Sequence, residues 1–291
     1  MTITASMVKE LRDRTGAGMM ECKKSLVEVN GDIDAAIELL RTSGQAKAEK
    51  KAGRVAADGR IEIKSNNSDA VILEINSETD FVAKDENFIN FSNSIINVLI
   101  KNNAKDLNML NESIISDGKT VEQARTNLIA KVGENISVRR FDRIEGSENL
   151  GLYSHGSRIG CIVSLSGGDE NLAKDIAMHI AATNPICLDK DDAPRDLVDR
   201  EKRIFSEQAA SSGKPPEIIE KMIQGKMSKF LKEISLLGQS FVKDPDISVE
   251  NLLKNANASI IQFIRYEVGE GIEKKKENFA DEVMKQIQGE S

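Results

Sequence analysis

Between residues 57 and 268 the chain runs twice through one order of elements: strand, strand, helix, helix, strand. A repeated order of this kind limits the fold more than any other feature of the sequence. In the first pass Ile61 and Ile63 alternate in one strand. Ala70 to Ile75 forms a second, with Val71, Leu73 and Ile75 set against Ile72 and Glu74. Phe88, Phe91, Ile95 and Leu99 then recur at helical spacing behind Asp85, a suitable cap. After a polar excursion through Asp117-Gly118, a helix carries Val121, Ala124, Leu128 and Ile129, and Ile136 to Phe141 closes the pass as a strand. The second pass reads Leu150 to Tyr153, Arg158 to Leu165, a helix from Asn171 to Thr183, a long insertion, a helix from Ser248 to Ala256 and a strand from Ser259 to Val268. Even the closing strands correspond, Ile136-Ser137-Val138-Arg139-Arg140-Phe141 against Ile261-Gln262-Phe263-Ile264-Arg265-Tyr266. Alternating strands and singly striped helices predict an α+β fold, a duplicated core of antiparallel sheets with helices on one face.

Three further regions surround this core. Residues 4–14, 19–29 and 32–42 read as short helices built on Met7, Val8 and Leu11, on Cys22, Leu26 and Val29, and on Ile33, Ile37 and Leu40. Gly16 and Gly18 break the first pair, and Asn30-Gly31-Asp32 turns and caps the third. Arg41 to Arg54, small and basic, reads as a tether. In the insertion, Leu197, Glu201, Ile204 and Gln208 lie near heptad spacing, Ser212 to Pro216 breaks the helix, and Ile219, Met222 and Ile223 resume the stripe. That is an antiparallel helical hairpin, either a spacer or an interaction arm. Beyond Gly269-Glu270-Gly271 the tail from Ile272 to Ile287 has the pattern of one amphipathic helix, Phe279, Val283 and Ile287 facing away from Lys274 to Lys276. The expected division is therefore 1–54, 55–145, 146–189 with 230–268, 190–229, and 269–291.

The formal charge of -7 speaks against a basic stripe for nucleic acid and favours a protein partner. Three cysteines without paired spacing suit a reducing compartment. Residues 1–10 show no secretory pattern, and no apolar run is long enough to span a bilayer, so a cytoplasmic chain is expected. Gly118-Lys119-Thr120 lacks the earlier glycine of a phosphate loop, Ser113 standing in its place. His155, Cys161, His179 and Cys187 match no zinc spacing, and no nucleophile has a histidine partner. No metal, cofactor or covalent catalysis is expected.

One stretch carries residues that neither neighbouring element needs. Ser77-Glu78-Thr79-Asp80-Phe81-Val82-Ala83-Lys84 joins a strand to a helix and sets a carboxylate beside an aromatic ring. Thr79-Asp80-Phe81-Val82 resembles the signature of bacterial elongation factor Ts. The resemblance extends, in order along the chain, to Thr15 through Lys24, His155-Gly156-Ser157-Arg158-Ile159-Gly160, Ile176 through Ala181, and Phe263 through Gly271.

The resemblance implies a factor that exchanges nucleotide on the translational GTPase elongation factor Tu, with a three-helix domain like ubiquitin-associated domains and a coiled-coil hairpin inserted in the second half of the core. It implies that Thr79, Asp80, Phe81 and Val82 dislocate the partner's magnesium, Phe81 as an apolar wedge and Asp80 through its charge, with Lys84 and Asp85 anchoring the turn. Arg12, Met19, Met20 and His155 are further candidate contacts, and the C-terminal module also touches the GTPase. A homodimer or a 2:2 complex through the core or hairpin stays open. The residues alone equally allow Asp80 as a cap and Phe81, Met19 and Met20 as core. Without the resemblance, an adaptor or chaperone-like protein using the bundle and hairpin is the competing class.

Overall fold

The chain opens on three helices, Ala5–Thr15 (α1), Met19–Glu28 (α2) and Ile33–Lys51 (α3), in a computed structural model that describes residues 2–211 and 214–273. The Thr4 hydroxyl accepts from the Met7 amide at the start of α1, and Gly16, at φ 71°, ends it in the left-handed conformation that costs glycine nothing. Asp32 caps α3 by accepting from the Ala35 amide. Leu11, Cys22, Leu26 and Ala36 form the centre of the bundle, with Met7, Val8, Ile33, Ile37 and Leu40 packed around them.

Two strands follow, Asp58–Ser65 (β1) and Ala70–Ser77 (β2), then a single helical turn, Asp80–Ala83 (α4). Helices Glu86–Leu99 (α5), Leu107–Glu112 (α6) and Val121–Val132 (α7) lead to the strand Ile136–Ile144 (β3). The strand order is β1-β2-β3. As the middle strand, β2 is buried along its whole length, so the face that holds Ile72 and Glu74 is covered as well as the face of Val71, Leu73 and Ile75. Alternation alone would leave Glu74 in water.

Next come the strands Asn149–His155 (β4) and Ile159–Ser166 (β5) and the helix Glu170–Thr183 (α8). Arg195–Ala210 (α9) and Pro216–Ile234 (α10) form the insertion, followed by a short pair, Ser240–Phe241 (β6) and Asp244–Ser248 (β7). The helix Val249–Asn255 (α11) and the strand Ser259–Glu267 (β8) end the described fold. The second sheet has the order β4-β5-β8. β4 and β5 are antiparallel, registered from Asn149 opposite Leu165 to His155 opposite Ile159. Mixed helices and small sheets make the chain α+β, as its periodicities predict.

The chain divides into two units, one holding residues up to Ile61, Leu73–Arg140 and the chain from Glu267, the other Glu62–Ile72 and Phe141–Tyr266. In the first, Leu73, Ile75, Phe88, Ile95, Leu99, Leu110, Ile129 and Ile136 are fully buried. In the second, Cys161, Val163 and Leu165 of β5 meet Ala173, Ile176, Ala177 and Ile180 of α8, with Val249, Leu253 and Ile260 closing the core. The insertion is different in kind, because among its helical residues only Ala209 is buried. Its helices meet through Phe205 and Phe230, edge to face with centroids 6.3 Å apart, and through Lys226, 5.3 Å from the Phe205 ring centre.

One expectation is corrected. The stretch from Arg41 to Arg54 is no tether, since α3 continues through it to Lys51. Gly44 and Ala48 are buried, and small side chains let α3 lie closely on α7: a methyl added at Gly44 would meet Ala130 at ordinary contact, 3.6 Å. Lys51 also donates to the Gly133 carbonyl beyond α7. The expected tail helix from Ile272 to Ile287 lies outside the described residues from position 274 on, as do Ser212 and Gly213 at the hairpin tip.

Candidate functional site

β2 delivers the chain into the turn at Ser77, and the next few residues are held down one by one. The Ser77 hydroxyl donates to the Thr79 carbonyl at 2.9 Å. Thr79 is gripped twice by Glu134, whose carboxylate accepts its amide at 3.0 Å and its hydroxyl at 2.8 Å. Glu78 accepts the Asn135 amide at 2.6 Å. Asn135 in turn donates through its side chain to the Arg54 carbonyl at 2.8 Å. Thr79 also caps α4, accepting from the Val82 amide at 3.4 Å. Capping thus falls to Thr79 and not to Asp80.

On this fixed base stands an exposed ring. Phe81 is 81% exposed, although burying such a side chain is worth about 2 kcal/mol. A single exposed apolar residue is ordinary. One projecting from a turn whose backbone is fastened on both sides has the form of a contact. Asp80 pairs with Lys84 at 2.6 Å across one helical turn, both side chains largely in water. Such a pair contributes little to stability. Asp85 caps α5, accepting from the Asn87 amide at 2.8 Å, and the Asn87 side chain holds its carboxyl below the usual range. Lys84 ends α4 and Asp85 begins α5, so the two stand together on the far side of the turn.

Upstream on β2, Glu74 forms a buried charged centre. Its carboxylate accepts from Arg139 at 2.9 Å, Arg140 at 2.6 Å, Asn76 at 3.0 Å and the Gly269 amide at 2.8 Å. Burial pushes its pKa up, but the Gly269 amide, Arg140, Asn76 and Arg139 outweigh it, and the net shift is downward. Arg140 reaches Glu270 as well, at 3.2 Å, so the turn after β8 is tied to β2 and β3. These partners lie 65, 66 and 195 residues from Glu74, too far apart for local pattern to reveal. Glu134 and Asn135 escaped sequence reading for the same reason, Glu134 standing 55 residues from Thr79.

The other expected contacts are on the surface. Met19 is 59% and Met20 74% exposed at the start of α2, so neither is core. Arg12, also exposed, lines a hollow with Gly16, Ala17, Gly18 and Glu21. His155 closes the β4–β5 hairpin, exposed, its ring 3.4 Å from the Tyr153 hydroxyl. Thr79 to Val82 form one turn and Arg12 to Met20 one end of the bundle.

His179, by contrast, is internal. Its Nδ1 accepts from the Val242 amide at 3.2 Å, so Nε2 carries the hydrogen and donates to Gln239 at 3.0 Å. Burial lowers its pKa, and the ring stays neutral. All three cysteines are free and buried, and burial raises each thiol. Among the described residues, no three His, Cys, Asp or Glu side chains gather as a metal would need, and no helix is long and apolar enough to cross a membrane.

Comparison with known proteins gives this exposed turn its context. The family model described as Elongation factor TS matches residues 78–270, from the base of the turn to the Glu74-bound turn. Elongation factor Ts of Thioalkalivibrio sulfidiphilus (strain HL-EbGR7) is 58% identical over 293 residues, 99% of this chain and 100% of the relative. That of Legionella pneumophila (strain Paris) is 56% identical over 288 residues, 98% and 99% of the two chains. That of Francisella tularensis subsp. novicida (strain U112) is 58% identical over 287 residues, 99% of each. With a family match over most of the chain and relatives this similar from end to end, the chain belongs to the elongation factor Ts family.

Proposed function

We propose that this chain is the guanine-nucleotide exchange factor of elongation factor Tu, acting in the cytoplasm without covalent chemistry or a cofactor of its own. The observation that carries the reading is Phe81, held out in water on a turn fastened at its base. A GTPase holds GDP through amides around the phosphates and through a magnesium ion that demands near-octahedral oxygen coordination. Phe81 enters between side chains that support this metal shell, and Asp80 disturbs the magnesium side by its charge. Thr79 and Val82 set the depth of entry. By linkage, a factor that binds the empty GTPase more tightly weakens GDP by the same ratio.

Magnitudes require more than the turn. Four decades of acceleration correspond to about 5.5 kcal/mol of differential binding, and one strong contact supplies about 2 to 4. Separate docking surfaces supply the rest: Arg12, Met19 and Met20 on a bundle resembling ubiquitin-associated domains (1–54), His155 on the core, and the C-terminal module (269–291). The core is a duplicated one, 55–145 against 146–189 with 230–268. The insertion, 190–229, is a coiled-coil arm, one route to a homodimer or a 2:2 complex. Nucleic acid is not contacted directly.

The test is the release of labelled GDP from elongation factor Tu. The parent chain speeds it, and excess GDP with magnesium dissolves the protein complex. Phe81→Ala lowers the maximal rate by about two decades while the complex still forms. Unchanged release with this variant refutes the wedge, and a complex indifferent to GDP and magnesium refutes exchange in favour of an adaptor.

A further inference from the structure

The same turn depends on a residue outside the signature. Glu134 follows α7 and its left-handed cap Gly133, and it binds no other part of the turn than Thr79. It takes both the amide and the hydroxyl of that residue, one carboxylate oxygen for each, at 3.0 and 2.8 Å. Two bonds to one residue fix its direction as well as its position. Thr79 is the N-cap of α4, so its orientation sets the axis of the single turn that bears Phe81. A helix of four residues has no propensity to hold its own direction. The support is shared with the adjoining Asn135, which binds Glu78 and the Arg54 carbonyl, while Gly133 receives Lys51 from the end of α3. We infer that Glu134 is a positioning residue for nucleotide exchange: it touches neither GTPase nor nucleotide, and holds Thr79 so that Phe81 is presented in the geometry that displaces GDP. The inference rests on the proposed exchange function.

Its signature is a split between rate and affinity. Docking surfaces elsewhere are untouched, so Glu134→Ala leaves the concentration of factor at half-maximal acceleration nearly unchanged and lowers the plateau rate about tenfold or more, as loss of orientation does. Glu134→Gln restores the plateau to within about twofold, since its oxygen accepts the Thr79 amide and its NH2 donates to the Thr79 hydroxyl oxygen. A residue serving stability alone would shift the melting temperature and leave the plateau in place.

The experiment times labelled-GDP release from elongation factor Tu over a range of factor concentrations, for the parent, Phe81→Ala, Glu134→Ala and Glu134→Gln, with a thermal melt of each. A low plateau for Glu134→Ala and recovery with Glu134→Gln supports the inference. A parental plateau for Glu134→Ala overturns it while a slow Phe81→Ala leaves the exchange function standing. No acceleration by the parent overturns the function itself. Should Glu134→Ala be unfolded at the assay temperature, the plateaus of all four chains are read below its melting temperature, where a lowered plateau for Glu134→Ala supports the inference and a parental one overturns it.

Discussion

Between β5 and α8 the chain turns in three residues, Gly167, Gly168 and Asp169, whereas between β2 and α5 it takes eight, Glu78–Asp85, and adds a helical turn on the way. The short connection is exposed but tightly built. Gly167 and Gly168 both have left-handed φ, 74° and 71°, and a Cβ on Gly167 would overlap the Asn257 carbonyl oxygen. Asp169 then caps α8 by accepting the Leu172 amide. It carries no large apolar side chain. The long connection caps its helix equally well with Asp85, yet it carries Phe81 into water. A strand-to-helix connection made for the fold alone needs only a turn and a cap. The surplus in Glu78–Asp85 is what a fold does not require.

The largest expected effect tests the short connection. Gly167→Ala places a methyl in a left-handed residue and against backbone that cannot give, and lowers the stability of its unit by about 3 kcal/mol in denaturant unfolding. Well below the melting temperature, its plateau rate of GDP release stays within about twofold of the parent. A Gly167→Ala chain of parental stability would show that the tight approach is not needed, and the contrast between the connections would lose one side.

How far this contrast was legible in the sequence depended on the range of the forces involved. Alternation at Val71, Leu73 and Ile75 and helical spacing at Phe88, Phe91, Ile95 and Leu99 are local, and they placed β2 and α5 within two residues. Asp32 and Asp85 were legible as caps because a cap binds an amide two or three residues on. The end of α3 was not legible. Gly44 and Ala48 hold it by smallness, which leaves no apolar stripe to count. Phe81 could be singled out because no periodic pattern claimed it. Glu74 stands in an apolar alternation that by itself does not reveal its burial, since the cover over its face and its arginines come from distant chain. The same holds for Glu134, the clamp on Thr79.

A middling effect comes from the charge on β2. Glu74→Gln keeps an acceptor for Asn76 or Gly269 but removes the negative charge from between Arg139 and Arg140. It lowers stability by about 2 kcal/mol near neutral pH. The folded pKa of Glu74 lies below its ordinary value of 4.5. Its contribution is therefore complete above about that value and is lost as pH falls through the folded pKa. Parent and Glu74→Gln should converge in that acid window. Asp69, Asp85 and Asp117, also depressed, titrate in both proteins and cancel in the difference. The close backbone approach at Gly167 contains no titrating group, so the Gly167→Ala deficit should persist through the same window. A parent-to-variant gap at Glu74 that ignores pH would assign the network to packing and not to charge.

The smallest effect is the most demanding. Phe81→Ala removes a large apolar side chain, which in a core costs about 3 to 5 kcal/mol. At 81% exposure the ring has left little of its surface behind in the protein, and the loss in denaturant unfolding should stay within about 0.5 kcal/mol. Phe88→Ala, in the first turn of α5 and fully buried, is the matched control and should fall in the core range. The pair separates what holds the chain together from what it presents. If Phe81→Ala cost as much as Phe88→Ala, the ring would be packed in solution, the extra turn would belong to the core, and the eight-residue connection would be only a longer version of the three-residue one.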